Sequence, residues 1–141
     1  MRRLLPQFVL GALGCIACFA APALAHHSFA MYDTSKKVVI KGNVREFNWT
    51  NPHATLLVVA LPSPGVAPRA WMLEMTSPGN LTRAGWTKRM FKPGDSVEVT
   101  FNPLRTGEAG GTFLRATFLN TGMQTPPLGD GYVNGKPANI K

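Results

Sequence analysis

The chain is 141 residues long and 45 % hydrophobic, and its 15 Lys and Arg against 7 Asp and Glu give a net charge of +8. That is one domain's worth of residues, with enough apolar side chains to bury a core unaided. The two cysteines, Cys15 and Cys18, both fall within the first 25 residues, which excludes a disulfide framework and a thiol nucleophile from the remainder.

Residues 1–25 read as an export signal. Arg2 and Arg3 supply the positive start and Phe8 to Ala21 the apolar run. Pro22 breaks the helix ahead of the small-residue cleavage motif Ala23-Leu24-Ala25. The run is too short for a comfortable membrane span, and no second one follows. A retained anchor, or a lipid on Cys15 or Cys18, fits less well. Cleavage after Ala25 leaves 116 residues with 13 basic and 7 acidic side chains, a net of +6. The expected location is periplasmic or secreted, where nucleic acid is not an expected partner. The basic residues are scattered and read as a solvated surface.

The first predicted strand covers Val38 to Trp49. Val38, Ile40 and Val44 share one face, then the alternation slips to Phe47 and Trp49, which predicts a bulge. Gly42 is placed for close packing at a bend. Thr50-Asn51-Pro52 is a turn. His53 opens a second, almost wholly apolar strand that runs to Leu61. A Pro/Gly loop, residues 62–68, leads to a third strand, Ala70 to Thr76. There Trp71, Leu73 and Met75 share one face and Glu74 takes the other.

Ser77 is the expected N-cap and Pro78 the first residue of a short helix that ends at Gly85. Trp86 is expected to pack back on the core. After the turn Lys92-Pro93-Gly94-Asp95, Val97, Val99 and Phe101 mark a fourth strand. Residues 105–111 form a Gly-rich loop, and Leu114, Ala116 and Phe118 mark a fifth strand. The order predicts an all-β domain with one short helix, a small five-stranded OB-like barrel, with a small β-sandwich as runner-up. The domain is expected to span residues 26–121, followed by a Gly/Pro-rich tail, 122–141, lying loosely on the surface.

Several pieces of the chain together resemble a family of small exported bacterial proteins of uncharacterised function. They are Ala25-His26-His27-Ser28-Phe29, Phe47 to Ala54 (FNWTNPHA), Trp71 to Met75 (WMLEM) and Pro93-Gly94-Asp95. The resemblance implies an exported, β-barrel-like domain and no established activity.

Chemistry must then be sought in the three histidines, His26, His27 and His53. Cleavage after Ala25 makes His26 the first residue, able to chelate a metal through its α-amine and Nδ1. That amine has a pKa of ~7.7–8, so a divalent ion can displace its proton at neutral pH. A nitrogen from His53 completes a three-nitrogen set like the histidine brace of exported copper proteins, a geometry that favours Cu(II). His27 competes with His26 for the role, and the sequence leaves that choice open. Glu74 is a further candidate, as an axial oxygen or as a partner for an imidazole N–H. Its plainer reading is an exposed strand carboxylate. The thioethers of Met31, Met72 and Met75 suit Cu(I), although Met75 has core spacing. Tyr32 and Asp33 lie close behind the terminus.

The sequence therefore predicts a metal-binding protein, with copper as cofactor, acting as a carrier or buffer rather than an enzyme. No nucleophile elbow, phosphate loop or suggestive carboxylate pair is present. The competing expectation is a metal-free OB-type binding module for glycan, peptide or another envelope ligand, with Trp49, Trp71 and Trp86 as stacking surfaces. A third is a structural envelope protein without a ligand.

Overall fold

The computed structural model describes residues 29–60, 65, 67–128, 132–133 and 136–137. The expected export signal, His26 and His27 lie outside these residues.

Strand β1, Val38–Asn48, is long enough to serve two neighbours. Its first half pairs antiparallel with β4, Ser96–Pro103, and its second half with β2, Thr55–Ala60. The register between β1 and β2 shifts between Val44 and Glu46, so Arg45 is the extra residue. The bulge falls where the alternation slips, and it lets one strand bend across both partners. A Cβ on Gly42 would overlap the Val59 carbonyl; only glycine permits this approach of β1 and β2.

β2 pairs with β3, Arg69–Glu74, in a regular antiparallel ladder. The second strand is shorter than predicted, because His53 and Ala54 precede it. β3 then meets β5, Gly110–Phe118, in parallel over Met72 to Glu74, and β5 pairs with β4. The resulting order, β1-β2-β3-β5-β4, closes into a barrel. The predicted OB-like architecture is the observed one, and the sandwich is not.

Helix α1, Pro78–Arg83, lies between β3 and β4 as expected. The Ser77 hydroxyl accepts the Asn80 N–H at 3.3 Å, satisfying one of the helix's orphan donors. Gly85 follows with φ +85°, a conformation that favours glycine. The helix buries Leu81 in the core with Val58, Leu73, Val97, Val99 and Phe101, each 0 % exposed. Trp86, 1 % exposed, sets its ring edge-on to Phe113 at 5.5 Å.

β5 departs from the simple alternation. A shift opposite Thr100 and Phe101 leaves Leu114 as the extra residue, so Phe113 joins Ala116 and Phe118 in the central core cluster, while Leu114, also buried, stays outside it. The tail also departs from expectation. Its start is not loose: Thr125 N–H bonds Ala116 O at 2.9 Å and Leu128 N–H bonds Leu114 O at 2.6 Å. Thr125 and Leu128 are 5 % and 6 % exposed. The cause is the short β3–β5 contact, which leaves β5 with unpaired backbone groups for the tail to satisfy. Further on, Tyr132–Val133 and Lys136–Pro137 form a two-stranded ladder.

Candidate functional site

His53 stands between β1 and β2, just after the cis Asn51–Pro52 peptide. Ala54 next to it is fully buried and exchanges backbone hydrogen bonds with Met75 and Thr76. That anchoring holds His53 beside the end of β3. Its Nδ1 lies 3.1 Å from the Met75 carbonyl oxygen and 3.5 Å from Glu74 Oε1. A carbonyl oxygen only accepts, so Nδ1 carries the hydrogen and the neutral ring keeps its lone pair on Nε2. With the side chain 38 % exposed, that nitrogen sits on a half-open ring.

Glu74 takes the outward side of β3 because Leu73 beside it points into the core. It is not the freely exposed carboxylate of the plainer sequence reading, since its side chain is only 30 % exposed. Oε2 accepts the Tyr32 hydroxyl hydrogen at 3.0 Å while Oε1 faces His53. Tyr32 is 5 % exposed. Its pKa is raised well above the ordinary phenol range, chiefly by burial, then by the Glu74 charge and the hydrogen bond to it. The phenol therefore remains a donor.

The segment carrying Tyr32 is fastened along the end of β4. Tyr32 bridges Leu104, Asp33 N–H bonds Pro103 O at 2.8 Å, and Arg105 N–H bonds Met31 O at 2.9 Å. Arg105 Nε–H adds a bond to Ala30 O at 3.0 Å. The chain approaching from the N-terminus is thus led onto the carboxylate that His53 faces.

The other sequence candidates are distributed as follows. Met75 has its thioether in the core, 4 % exposed, and offers the site only its carbonyl oxygen. Met31 is half-buried beside Tyr32. Met72 is 48 % exposed, on the same side of β3 as Glu74 and two residues before it. Trp86 is enclosed, its indole N–H without a partner among the described residues, and has no face to stack on a ligand. Trp49 and Trp71 are half-buried against the core; Arg69 covers Trp71 at 4.9 Å. Among the described residues no three His, Cys, Asp or Glu side chains gather closely enough to hold a metal. No described helix is long and apolar enough to cross a membrane.

The Tyr32–Glu74 bond is the feature sequence reasoning missed. Tyr32 stood out only for its closeness to the terminus, and its partner lies 42 positions away.

The profile of a family of unknown function, DUF6152, matches residues 13–115. No curated protein and no solved structure matches the chain.

Proposed function

The chain belongs to that family of unknown function, DUF6152, and we propose that it is an exported metal-binding protein, a copper carrier or buffer. In this reading the processed N-terminus, through His26 or His27, and the Nε2 of His53 share one ion. The carrying observation is the state of His53. Its Nδ1–H is spoken for by the Met75 carbonyl and faces Glu74, which is how proteins orient a histidine that ligates through its other nitrogen. Glu74 fits the role of orienting the ring better than that of a ligand, because Tyr32 already occupies its second oxygen.

The attachment of the N-terminal segment supports the shared site. His27 is five positions upstream of Tyr32; five extended residues would span ~18 Å, and with Phe29–Met31 wound into a 3-10 turn the link is shorter still. The histidine pair is thus tethered within reach of the His53 cluster. Nitrogen donors and a free amine favour Cu(II) over Zn(II) by the Irving–Williams order. Met31 and Met72 are the thioethers on hand for Cu(I).

The experiment is a Cu(II) titration of the exported, processed protein beside the same protein with its N-terminal α-amine acetylated. The acetylated form is expected to lose most of its affinity, because its blocked α-amine cannot chelate. Equal affinity in both sinks the amine ligand. His53→Ala is expected to change the Cu(II) spectrum by one imidazole; an unchanged spectrum removes His53 from the site.

A further inference from the structure

The described cations divide into two sets. Most are engaged within the fold. Lys36 pairs with Asp33 at 2.9 Å and Lys41 with Glu98 at 3.4 Å. Arg69 lies over Trp71, Arg83 bonds Asn80, and Arg105 holds the Ala30 carbonyl. Lys37 also has a partner. Among the described residues, the side chains of Arg45, Lys88, Arg89, Lys92 and Arg115 make no hydrogen bond or ion pair.

Four of these five are neighbours. Trp86 and Phe91, 1 % and 4 % exposed, pin the two ends of a turn closed by Met90 N–H to Thr87 O at 3.0 Å. Lys88 and Arg89, at its tip, have only solvent to enter. Lys92 opens the next turn, where Asp95 N–H bonds Lys92 O at 3.1 Å. That turn is tied to β1 by Val44 N–H to Asp95 O and Gly94 N–H to Val44 O, both 2.8 Å. The next residue on β1 is Arg45, the unpaired residue of the bulge. Phe47, two positions on, packs edge-on against Phe91 at 5.3 Å and joins the strand to the first turn.

The two nearby acids, Asp95 and Glu46, offset only part of the group's charge. The Asp95 carboxylate accepts the Lys92 backbone N–H at 2.8 Å and makes no ion pair with the Lys92 ammonium. Glu46 lies on the strand opposite Leu57. Three cations on adjoining turns and Arg45 on the bulge beside them outnumber these two acids and leave a net positive field. The surface consists of turn tips rather than a cleft, and the Trp86 and Phe91 rings beneath it are buried. It therefore lacks the groove and stacking platform of a single-strand binder. Trp49, half-buried and edge-on to Phe47 at 5.6 Å, stands at the end of the same strand. Basic side chains beside a tryptophan suit the boundary of a charged lipid surface.

We propose that the surface formed by Arg45, Lys88, Arg89 and Lys92 docks the protein on anionic phospholipid headgroups. The proposal is independent of the metal site. Its test is flotation of the exported, processed protein with phosphatidylcholine vesicles, with and without phosphatidylglycerol. Binding is expected only to the anionic vesicles and is expected to weaken with salt. Lys88→Gln/Arg89→Gln is expected to lower the partition about 25-fold, about fivefold per charge removed. Lys92→Gln alone should lower it about fivefold. Arg115→Gln, which removes the unpartnered cation outside the group, should leave it unchanged. The near-ultraviolet circular dichroism of the packed tryptophans and Tyr32 reports that each variant is folded. Absence of binding to the anionic vesicles overturns the proposal. So does an equal loss in Arg115→Gln, or full competition by an oligonucleotide or by free inorganic phosphate at concentrations that leave vesicle charge intact.

Discussion

Tyr32 and His53 face opposite oxygens of one carboxylate: the Tyr32 hydroxyl is 3.0 Å from Glu74 Oε2, and His53 Nδ1 is 3.5 Å from Oε1. Removing the hydroxyl leaves a half-buried carboxylate oxygen without its donor. Hydrogen bonds to charged groups contribute about 1.5–3 kcal/mol when buried. Glu74 keeps some solvent, so Tyr32→Phe is expected to cost about 1–2 kcal/mol in urea unfolding, with an unchanged m-value. Because burial and the Glu74 charge keep the phenol protonated, the bond should persist at mildly alkaline pH. Copper affinity should fall in the same variant, since the tethered terminus loses its latch. An unaltered midpoint would show that water already satisfies Glu74.

Glu74→Gln keeps the shape and removes the charge facing the imidazole. Partners that orient a ligating histidine change metal affinity by roughly 10–100-fold when replaced. The variant should bind Cu(II) more weakly than wild type by that order, in a competition titration against a chelator of known affinity. It should also retain an imidazole signature that His53→Ala lacks. Identical affinity would reduce Glu74 to a partner of Tyr32 alone.

Gly42→Ala tests the closest approach in the barrel. The added methyl would overlap the Val59 carbonyl and press on Val58 Cγ1 at 2.9 Å. Neither backbone can yield without disturbing a paired strand, so a loss of about 2 kcal/mol or more is expected from thermal unfolding. Gly85→Ala has free space around it but a φ of +85°, and should cost less, about 1 kcal/mol.

Asp33 makes the fold sensitive to acid. Its carboxyl is held down to about 2, first by the hydrogen bond from the Ser35 hydroxyl at 2.6 Å, then by Lys36. A folded pKa below the unfolded one adds stability that is present above pH ~4 and lost as pH falls toward ~2. Asp33→Asn should flatten that part of the stability–pH curve and leave neutral pH little changed in slope. An unchanged acid limb would assign the acid sensitivity to other carboxylates.

Leu128→Ala tests the docking of the tail on β5. Leu128 is 6 % exposed and belongs to the core cluster. The substitution is expected to lower stability by about 2 kcal/mol and to speed amide exchange at residues 128 and 125, whose N–H groups bond the Leu114 and Ala116 carbonyls, with Cu(II) affinity unchanged.

Much of the barrel is legible in the chain. The alternation of Val97, Val99 and Phe101, the slip between Val44 and Phe47, and the Ser77-Pro78 helix start are local patterns. They depend on one strand or one turn, so they survive reading residue by residue. The phase of β5 does not. Whether Phe113 or Leu114 joins the central core cluster depends on a bulge set by pairing with Thr100 and Phe101, which no property of β5 alone announces. The tail misleads for a similar reason: its Gly and Pro content describes a loop, but its position answers to the unpaired edge of β5.

At the candidate site the division is sharper. The sequence determined which donors exist: three histidines, one carboxylate on the outward side of β3, and no cysteine beyond residue 18. Chemistry of that kind is written in residue identity. Only the tertiary structure decided that His53 gives its Nδ1–H to a backbone carbonyl, that Glu74 is shared with Tyr32, and that Met75 turns its sulfur inward. Those outcomes follow from closing a barrel whose strands lie tens of residues apart in the chain. Burial and hydrogen-bond demand, rather than proximity in sequence, select the partners.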